Sequence, residues 1–139
     1  MAVSWKMDVG INNVPAYQVS GRPFASGTIN ATNAVKVTFP YVTRWIYVVN
    51  NGAEPVKVGF SEKGIRNDTQ SPGGTNYFKV SKLDSNQAGY SQRLELKVTE
   101  LWISGSPDVD IVAGLTTIPT ERTSMGAGKP SWSGSAGVG

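Results

Sequence analysis

The sequence predicts an all-β protein, a single-domain β-sandwich of about eight strands. Apolar and polar residues alternate with a period of two in several segments, and turn residues recur between them at the spacing of a sandwich or barrel. The composition agrees, because sixteen glycines and eight prolines favour short strands joined by tight turns. No segment has a convincing helical pattern. At 139 residues the chain is long enough for one domain with a real core.

Residues 1–23 are predicted to form an N-terminal strand or extended arm. The first part of this segment has apolar residues at odd positions, namely Val3, Trp5, Met7, Val9 and Ile11. A period of two is typical of extended backbone, in which alternate side chains share a face. The sandwich core is predicted to follow as residues 24–115.

The first strands of the core are predicted from position 24 onward. Phe24 to Ala31 is a candidate strand in which Gly27 indicates a bulge. Val35 to Phe39 alternates apolar with polar residues and is stopped by Pro40, which predicts a half-buried strand. Arg44 to Asn50 is apolar on both faces, which is typical of a central strand.

The middle of the chain is predicted to contain one hairpin and two loops. Asn50-Asn51-Gly52 is a strong turn signal, because Asn and Gly tolerate a positive φ. This turn predicts that Val56 to Phe60 pairs with Arg44 to Asn50. Residues 61–75 and 81–91 are predicted to be loops on either side of a short strand, Asn76 to Val80.

The segment Arg93–Ser104 has the strongest strand pattern, but its phase is ambiguous. The apolar residues at 94, 96 and 98 share one face. Beyond them, either Trp102 continues that face or Leu101 and Ile103 take over the inward position. The second alternative needs a slip of one residue, so a bulge or twist is predicted near Thr99–Glu100.

The end of the chain is predicted to be an extended tail. A turn over Gly105–Asp108 precedes the last alternating strand, residues 109–115. The tail is residues 116–139, and within it Ser124–Gly139 carries too few apolar side chains to fold alone. Trp132 is a large anchor among small residues, as Trp5 is in the N-terminal arm. A tryptophan in such a segment favours either binding in a pocket on a neighbour or docking back onto its own sandwich.

The composition argues against an enzyme and gives no reason to expect a cofactor. Histidine and cysteine are both missing, which removes the commonest general base and all thiolate chemistry. Asp108 with Asp110, and Glu62 with Asn67 and Asp68, are the candidate metal-ligating groups. Strand alternation accounts for the first pair as a solvated face, and the second group has no EF-hand spacing.

Charge and hydropathy exclude further classes. The basic residues are scattered from Lys6 to Lys129 and the net charge is only +3, so direct nucleic-acid binding is not expected. No apolar stretch approaches the ~20 residues of a membrane span, and the N-terminus lacks the apolar region of a signal peptide. The sequence predicts a chain made and kept inside a cell, unless it leaves in a larger particle.

Six segments taken together resemble one family. They are VPAYQVSGRPFASG (14–27), FPYVTRW (39–45), KVGFSE (57–62), LKVTELW (96–102), AGLTTI (113–118) and PSWSGS (130–135). In this order they are similar to small minor capsid, or cement, proteins of large icosahedral double-stranded DNA viruses, such as those infecting algae.

The resemblance implies a jelly-roll-like sandwich that cements major capsid capsomers in the virion. The implied partners are the major capsid protein, other minor capsid proteins and copies of the chain itself. The residues expected to bind these partners are Trp5, Pro130 and Trp132 in the two termini. The alternative is a carbohydrate-binding, lectin-like module, in which exposed aromatic side chains stack on sugar rings.

Overall fold

The computed structural model describes residues 22–65, 75–85, 87–120, 132 and 136–138. Eight strands in these ranges form two four-stranded antiparallel sheets, which confirms the predicted all-β sandwich. The strands are β1 (Arg22–Ala31), β2 (Val35–Thr38), β3 (Thr43–Asn50), β4 (Val56–Gly59), β5 (Tyr77–Val80), β6 (Gly89–Tyr90), β7 (Glu100–Ser104) and β8 (Ser106–Leu115). A helix of a single turn, α1 (Glu62–Ile65), follows β4.

The strand order is that of a jelly roll. Sheet A has the order β1-β8-β3-β6, and sheet B has the order β2-β7-β4-β5. Successive strands therefore pass from one sheet to the other, except that β4 and β5 are neighbours in sheet B. Two packed sheets with this connectivity are the double Greek-key arrangement of jelly rolls.

The core lies between the two sheets and follows the alternation of the strands. In β8, Val109 and Ile111 are fully buried, whereas Val112 is exposed on the outer face. Full burial of a Val or Ile side chain contributes about 1.5–3 kcal/mol. Phe24 of β1 packs edge-on against the buried Phe39, with 5.0 Å between ring centroids. This aromatic contact ties the edge strand β1 to the core.

The bulge predicted at Gly27 is confirmed. The register of β1 against β8 shifts between Ser26 and Ile29, so β1 carries one extra residue there. Thr28 has a φ of 57°, and its backbone N–H donates to Oδ1 of Asp110 at 2.8 Å. The Asp110 carboxylate therefore occupies the place of a ladder acceptor that the bulge has removed.

The predicted hairpin between Arg44–Asn50 and Val56–Phe60 is wrong. β3 pairs with β8 and β6 in sheet A, whereas β4 pairs with β5 and β7 in sheet B. The turn at Asn50–Gly52 carries the chain across the sandwich instead of folding it back onto its neighbour. A turn signal predicts a change of direction, but the partner of each strand is decided by packing over the whole domain.

The ambiguous phase of Arg93–Ser104 arises because the segment changes sheets. Leu94 forms an isolated bridge with Ile46 of β3 in sheet A. The later part, β7, pairs with β2 and β4 in sheet B. The prediction of one strand over the whole segment is therefore too long, since the strand itself covers only Glu100–Ser104.

The change of sheet also decides which residues face the core. Leu101 and Ile103 are fully buried, and Trp102 between them is half-buried on the outer face. The inward position thus passes to the odd-numbered residues, which was one of the two predicted alternatives. The crossing lies at the predicted twist, because the Val98 carbonyl still accepts from Thr43 of β3 whereas the next carbonyl accepts from Phe39.

Three smaller differences concern the loops. Helix α1 lies within the segment 61–75 that is predicted to be a loop, and β6 lies within the predicted loop 81–91. The turn predicted over Gly105–Asp108 is reduced to Gly105, since β8 already begins at Ser106.

The two ends of the sandwich differ slightly from the predicted boundaries. β1 begins at Arg22, and packing continues past Leu115 to the buried Ile118, whose carbonyl accepts from the Val42 N–H at 3.1 Å. The N-terminal arm over residues 1–21 lies outside the described residues. Of the predicted tail, residues 116–120, 132 and 136–138 are described.

Candidate protein-binding surface

The outer face of sheet A carries an apolar row that crosses three strands. Val112 of β8 lies directly opposite Ala25 of β1 on one side and Tyr47 of β3 on the other. All three are exposed, and Val112 and Tyr47 are each 39% accessible. Cross-strand neighbours stand about 4.5–5.5 Å apart, so these side chains form one continuous surface.

A second row beside the first places the Trp45 indole over Gly114. Trp45 of β3 lies opposite Gly114 of β8, which in turn lies opposite Pro23 of β1. A Cβ on Gly114 would overlap the Trp45 ring, so the missing side chain creates the space that the indole occupies. Trp45 also contacts Tyr47 edge-on, with 5.6 Å between ring centroids.

The edge of sheet A extends this surface. Tyr90 of β6 lies opposite Val49 of β3 and is 69% exposed. The Arg93 guanidinium lies 5.9 Å from the Trp45 ring and gives the surface a cationic border. We call the group made of Ala25, Trp45, Tyr47, Tyr90 and Val112 the sheet-A patch.

The outer face of sheet B has a different chemistry. Lys36 and Trp102 are opposite each other, and so are Lys57 and Lys79. The Lys57 ammonium lies 4.6 Å from the Tyr77 ring. Lysine is depleted at the cores of protein interfaces, whereas tyrosine and tryptophan are enriched there. The sheet-A patch is therefore the better candidate for burial against another protein.

A second candidate surface holds the described part of the C-terminal tail. Trp132 packs against the core cluster, and its indole N–H donates to the backbone carbonyl of Lys97. The Ser61 hydroxyl donates to the backbone carbonyl of Val138 at 2.6 Å. Through these described residues the tail contacts the segment before β7 and the residue that precedes α1.

A pocket of about 530 Å³ lies between the tail and the sandwich. Its walls are Phe60, Glu95, Leu96, Lys97 and Val98 of the sandwich, with Trp132, Ala136, Gly137 and Val138 of the tail. We call the wall formed by the five sandwich residues the tail seat. The pocket is mainly apolar and has the backbone carbonyl of Lys97 as a fixed acceptor for an indole.

The predicted partner-binding residues are only partly located by the structure. Trp5 and Pro130 lie outside the described residues. Trp132 is half-buried against its own sandwich, which is one of the two alternatives that the sequence left open. Binding of Trp132 to a neighbouring subunit stays a prediction.

The candidate metal-ligating residues form no metal site in the part of the chain that the structure describes. No three His, Cys, Asp or Glu side chains converge within that part. Both oxygens of Asp110 are engaged, Oδ1 by Thr28 and Oδ2 by the Asn51 side chain at 2.8 Å. Glu62 is exposed at the start of α1, and its proposed partners Asn67 and Asp68 lie outside the described residues.

This arrangement gives Asp110 a structural role that can be measured. Asp110→Ala removes two hydrogen bonds to a carboxylate, which are worth about 1.5–3 kcal/mol each before relaxation. We expect a loss of about 2 kcal/mol of unfolding free energy in urea denaturation. Asp108→Ala, two positions away on the same face, is the control and should change stability by less than about 0.5 kcal/mol. A rise in melting temperature of the wild type on adding Ca²⁺ or Mg²⁺ would contradict the structural role and favour a metal site.

Searches for similar proteins give no family for this chain. No family model, no curated protein and no solved structure matches it. Among the described residues, no helix has the length and apolar character that a membrane span requires.

The sequence did not single out the residues of the sheet-A patch, although it contained a signal for them. The apolar character of Arg44–Asn50 on both faces predicts a central strand, and β3 is indeed an inner strand of sheet A. One of those faces contributes Ile46 and Val48 to the core, while the other exposes Tyr47. Apolar residues on the second face of a strand are thus also a signal for an interaction surface.

Proposed function

We propose that this chain is a structural protein of a virion, a minor capsid or cement protein. It binds neighbouring capsid subunits, the major capsid protein foremost, through the sheet-A patch and the extended termini. Other minor capsid proteins and copies of the chain itself are further partners. The observation that carries the proposal is the sheet-A patch, in which aromatic and aliphatic side chains of several neighbouring strands stand exposed on one face.

Two further observations support the proposal. The strand order is the jelly-roll order, an arrangement used by viral capsid domains. Two of the six sequence segments that resemble minor capsid proteins also contribute to the patch, because Ala25 lies within 14–27 and Trp45 within 39–45. A subunit of this kind needs a rigid body and complementary faces, and many copies in one particle make weak contacts effective.

Carbohydrate binding is the alternative, since jelly rolls also occur in lectins and Tyr47 and Tyr90 are exposed. Sugar recognition needs polar groups placed beside the stacking ring to bond the hydroxyls. The register neighbours of Tyr47 and Trp45 on β8 are Val112 and Gly114, whose side chains offer no such group, although the Arg93 guanidinium lies at the border of the Trp45 ring. This environment favours contact with an apolar protein surface over contact with a sugar.

The direct test is incorporation of a variant into particles. Val112→Glu places a charge at the centre of the sheet-A patch, where burial in an interface would leave the carboxylate without water or a partner. We expect at least tenfold less of the variant than of wild type in purified particles, measured by quantitative mass spectrometry against another virion protein. The melting temperature should be nearly unchanged, because Val112 is exposed in the isolated chain.

The matched control is Ala53→Glu, which adds the same charge at an exposed loop position away from the patch. It should be incorporated like wild type. Equal incorporation of Val112→Glu and wild type would contradict a role for the patch, and absence of the wild-type chain from particles would contradict the capsid function. Saturable quenching of tryptophan fluorescence by sugars, lost in Tyr47→Ala, would instead support the lectin-like function.

A further inference from the structure

We propose that the tail seat also receives the C-terminal tail of a second copy of this chain. The tail seat would then link sandwiches to one another by exchange of tails. This inference rests on the proposed assembly function and adds to it the identity of one partner and the surface that binds it.

The structure shows what the tail seat recognises. An indole N–H is bonded by the carbonyl of Lys97, and the Ser61 hydroxyl is bonded to a backbone carbonyl of the tail, that of Val138. Trp132 also packs against the core cluster, and Phe60 and Leu96 line the pocket beside the tail. None of these contacts depends on whether the tail belongs to the same molecule. Exchange of an identical element between copies is for this reason a low-cost route to association.

The chain between sandwich and anchor is long enough for exchange. Eleven residues, 121–131, separate Thr120 from Trp132. Such a segment can span about 40 Å when extended. The longest strands of the sandwich, β1 and β8, have ten residues each and are therefore about 33 Å long. This length sets the scale of the distance that a tail must span between two sandwiches side by side. A tail can therefore reach the seat of a sandwich that lies alongside.

The seating on its own sandwich is imperfect in two respects. A pocket of about 530 Å³ remains beside the tail residues that line it. Trp132 has a φ of 63°, a left-handed conformation that bulky side chains disfavour. In its own molecule the tail is joined covalently to the sandwich that it binds, which restricts the positions it can take. A tail from another copy lacks this restriction, so it can fill the pocket more closely.

The absence of cysteine allows a clean test by cross-linking. One full-length chain carries Glu95→Cys, and another carries Ala136→Cys and an N-terminal fusion that changes its mass. Both positions are exposed, and they line the pocket between sandwich and tail from its two sides. After mixing at high protein concentration and adding a short bismaleimide, we expect a product with the summed mass of the two chains. Trp132→Ala in the second chain should lower its yield at least fivefold.

Two controls define the result. Glu54→Cys replaces Glu95→Cys in the first, because Glu54 lies beside Asn50 at one end of β3 and the seat residue Leu96 lies beside Thr43 at the other. No mixed product is expected from it. In the second control, one chain carries both Glu95→Cys and Ala136→Cys, so that contact within a chain can be measured.

The outcomes separate the two proposals. Cross-linking only within the doubly substituted chain would overturn exchange and restrict the tail to its own sandwich. Absence of every cross-link would overturn it as well, because the seat would then not hold the tail at all. Neither result bears on Val112→Glu, since the sheet-A patch and the tail seat have no residue in common.

Discussion

Asn50→Asp is expected to lower the free energy of unfolding by about 3–5 kcal/mol, although it only replaces a side-chain NH₂ group by an oxygen. The Asn50 side chain is fully buried. Its amide nitrogen donates to the backbone carbonyls of Glu54 at 2.7 Å and Ser81 at 3.1 Å. Its oxygen accepts from the Gly52 N–H at 3.0 Å and from the Ser106 hydroxyl at 2.7 Å. This one side chain therefore joins β3 of sheet A to the ends of β5 and β8.

Aspartate has almost the same shape but lacks the donor. One of its oxygens would face two carbonyl oxygens at hydrogen-bonding distance, in a site without solvent to screen the charge. The measurement is urea denaturation followed by tryptophan fluorescence, with unchanged m-value as evidence that the folded state is preserved. Asn30→Asp is the matched control, because the Asn30 side chain is exposed and, within the described residues, its oxygen accepts two bonds from Thr32 while its amide nitrogen donates none. The control should lie within about 0.5 kcal/mol of wild type, and an equally small effect at Asn50 would show that its bonds carry little stability.

Gly105→Ala is expected to cost about 2–4 kcal/mol. Gly105 is the single residue between β7 in sheet B and β8 in sheet A, and its φ is 115°. This conformation is disfavoured for any residue with a Cβ. An added Cβ would also lie 2.8 Å from the carbonyl oxygen of Pro55. A shift of the backbone could relieve this overlap, but it would weaken the hydrogen bond from the Gly105 N–H to the Ala31 carbonyl, which is 2.6 Å long.

Gly27→Ala provides the comparison for this substitution. Gly27 lies outside the left-handed region, and the nearest atom to an added Cβ is an Asp110 carboxylate oxygen at 3.2 Å. That contact is 0.4 Å longer than the one at Gly105 and is not combined with a positive φ, so the expected change is below about 1 kcal/mol. Equal melting temperatures for the two alanine variants would mean that the crossing at Gly105 relaxes without strain.

The sequence predicted the fold class well because period-2 alternation and turn residues are local properties. It also located the bulge at Gly27, since a glycine inside an apolar strand pattern often marks a break in the ladder. Pairing could not be predicted in the same way. The turn at Asn50–Gly52 has the composition of a hairpin, yet β3 and β4 belong to different sheets. The residues of the turn do not indicate that the Asn50 side chain forms hydrogen bonds with the distant Ser81 and Ser106.

The candidate surfaces were predicted in part. Trp132 is conspicuous in the sequence because it stands among small residues, and the structure gives it contacts on its own sandwich. The sheet-A patch was missed because exposure is a property of the assembled sheets. Tyr47 and Val112 are 65 positions apart and become neighbours only through the register of β3 against β8.

The pairing of β8 has a consequence for the time course of folding. β8 is the last of the eight strands to leave the ribosome, yet it is an inner strand of sheet A and lies between β1 and β3. Contacts such as that of Thr28 with Asp110 join residues 82 positions apart. Long-range pairing of this kind folds slowly. Until β8 has been made, the edges of β1 and β3 that pair with it stay open, so a nascent chain is most prone to aggregate just before β8 emerges.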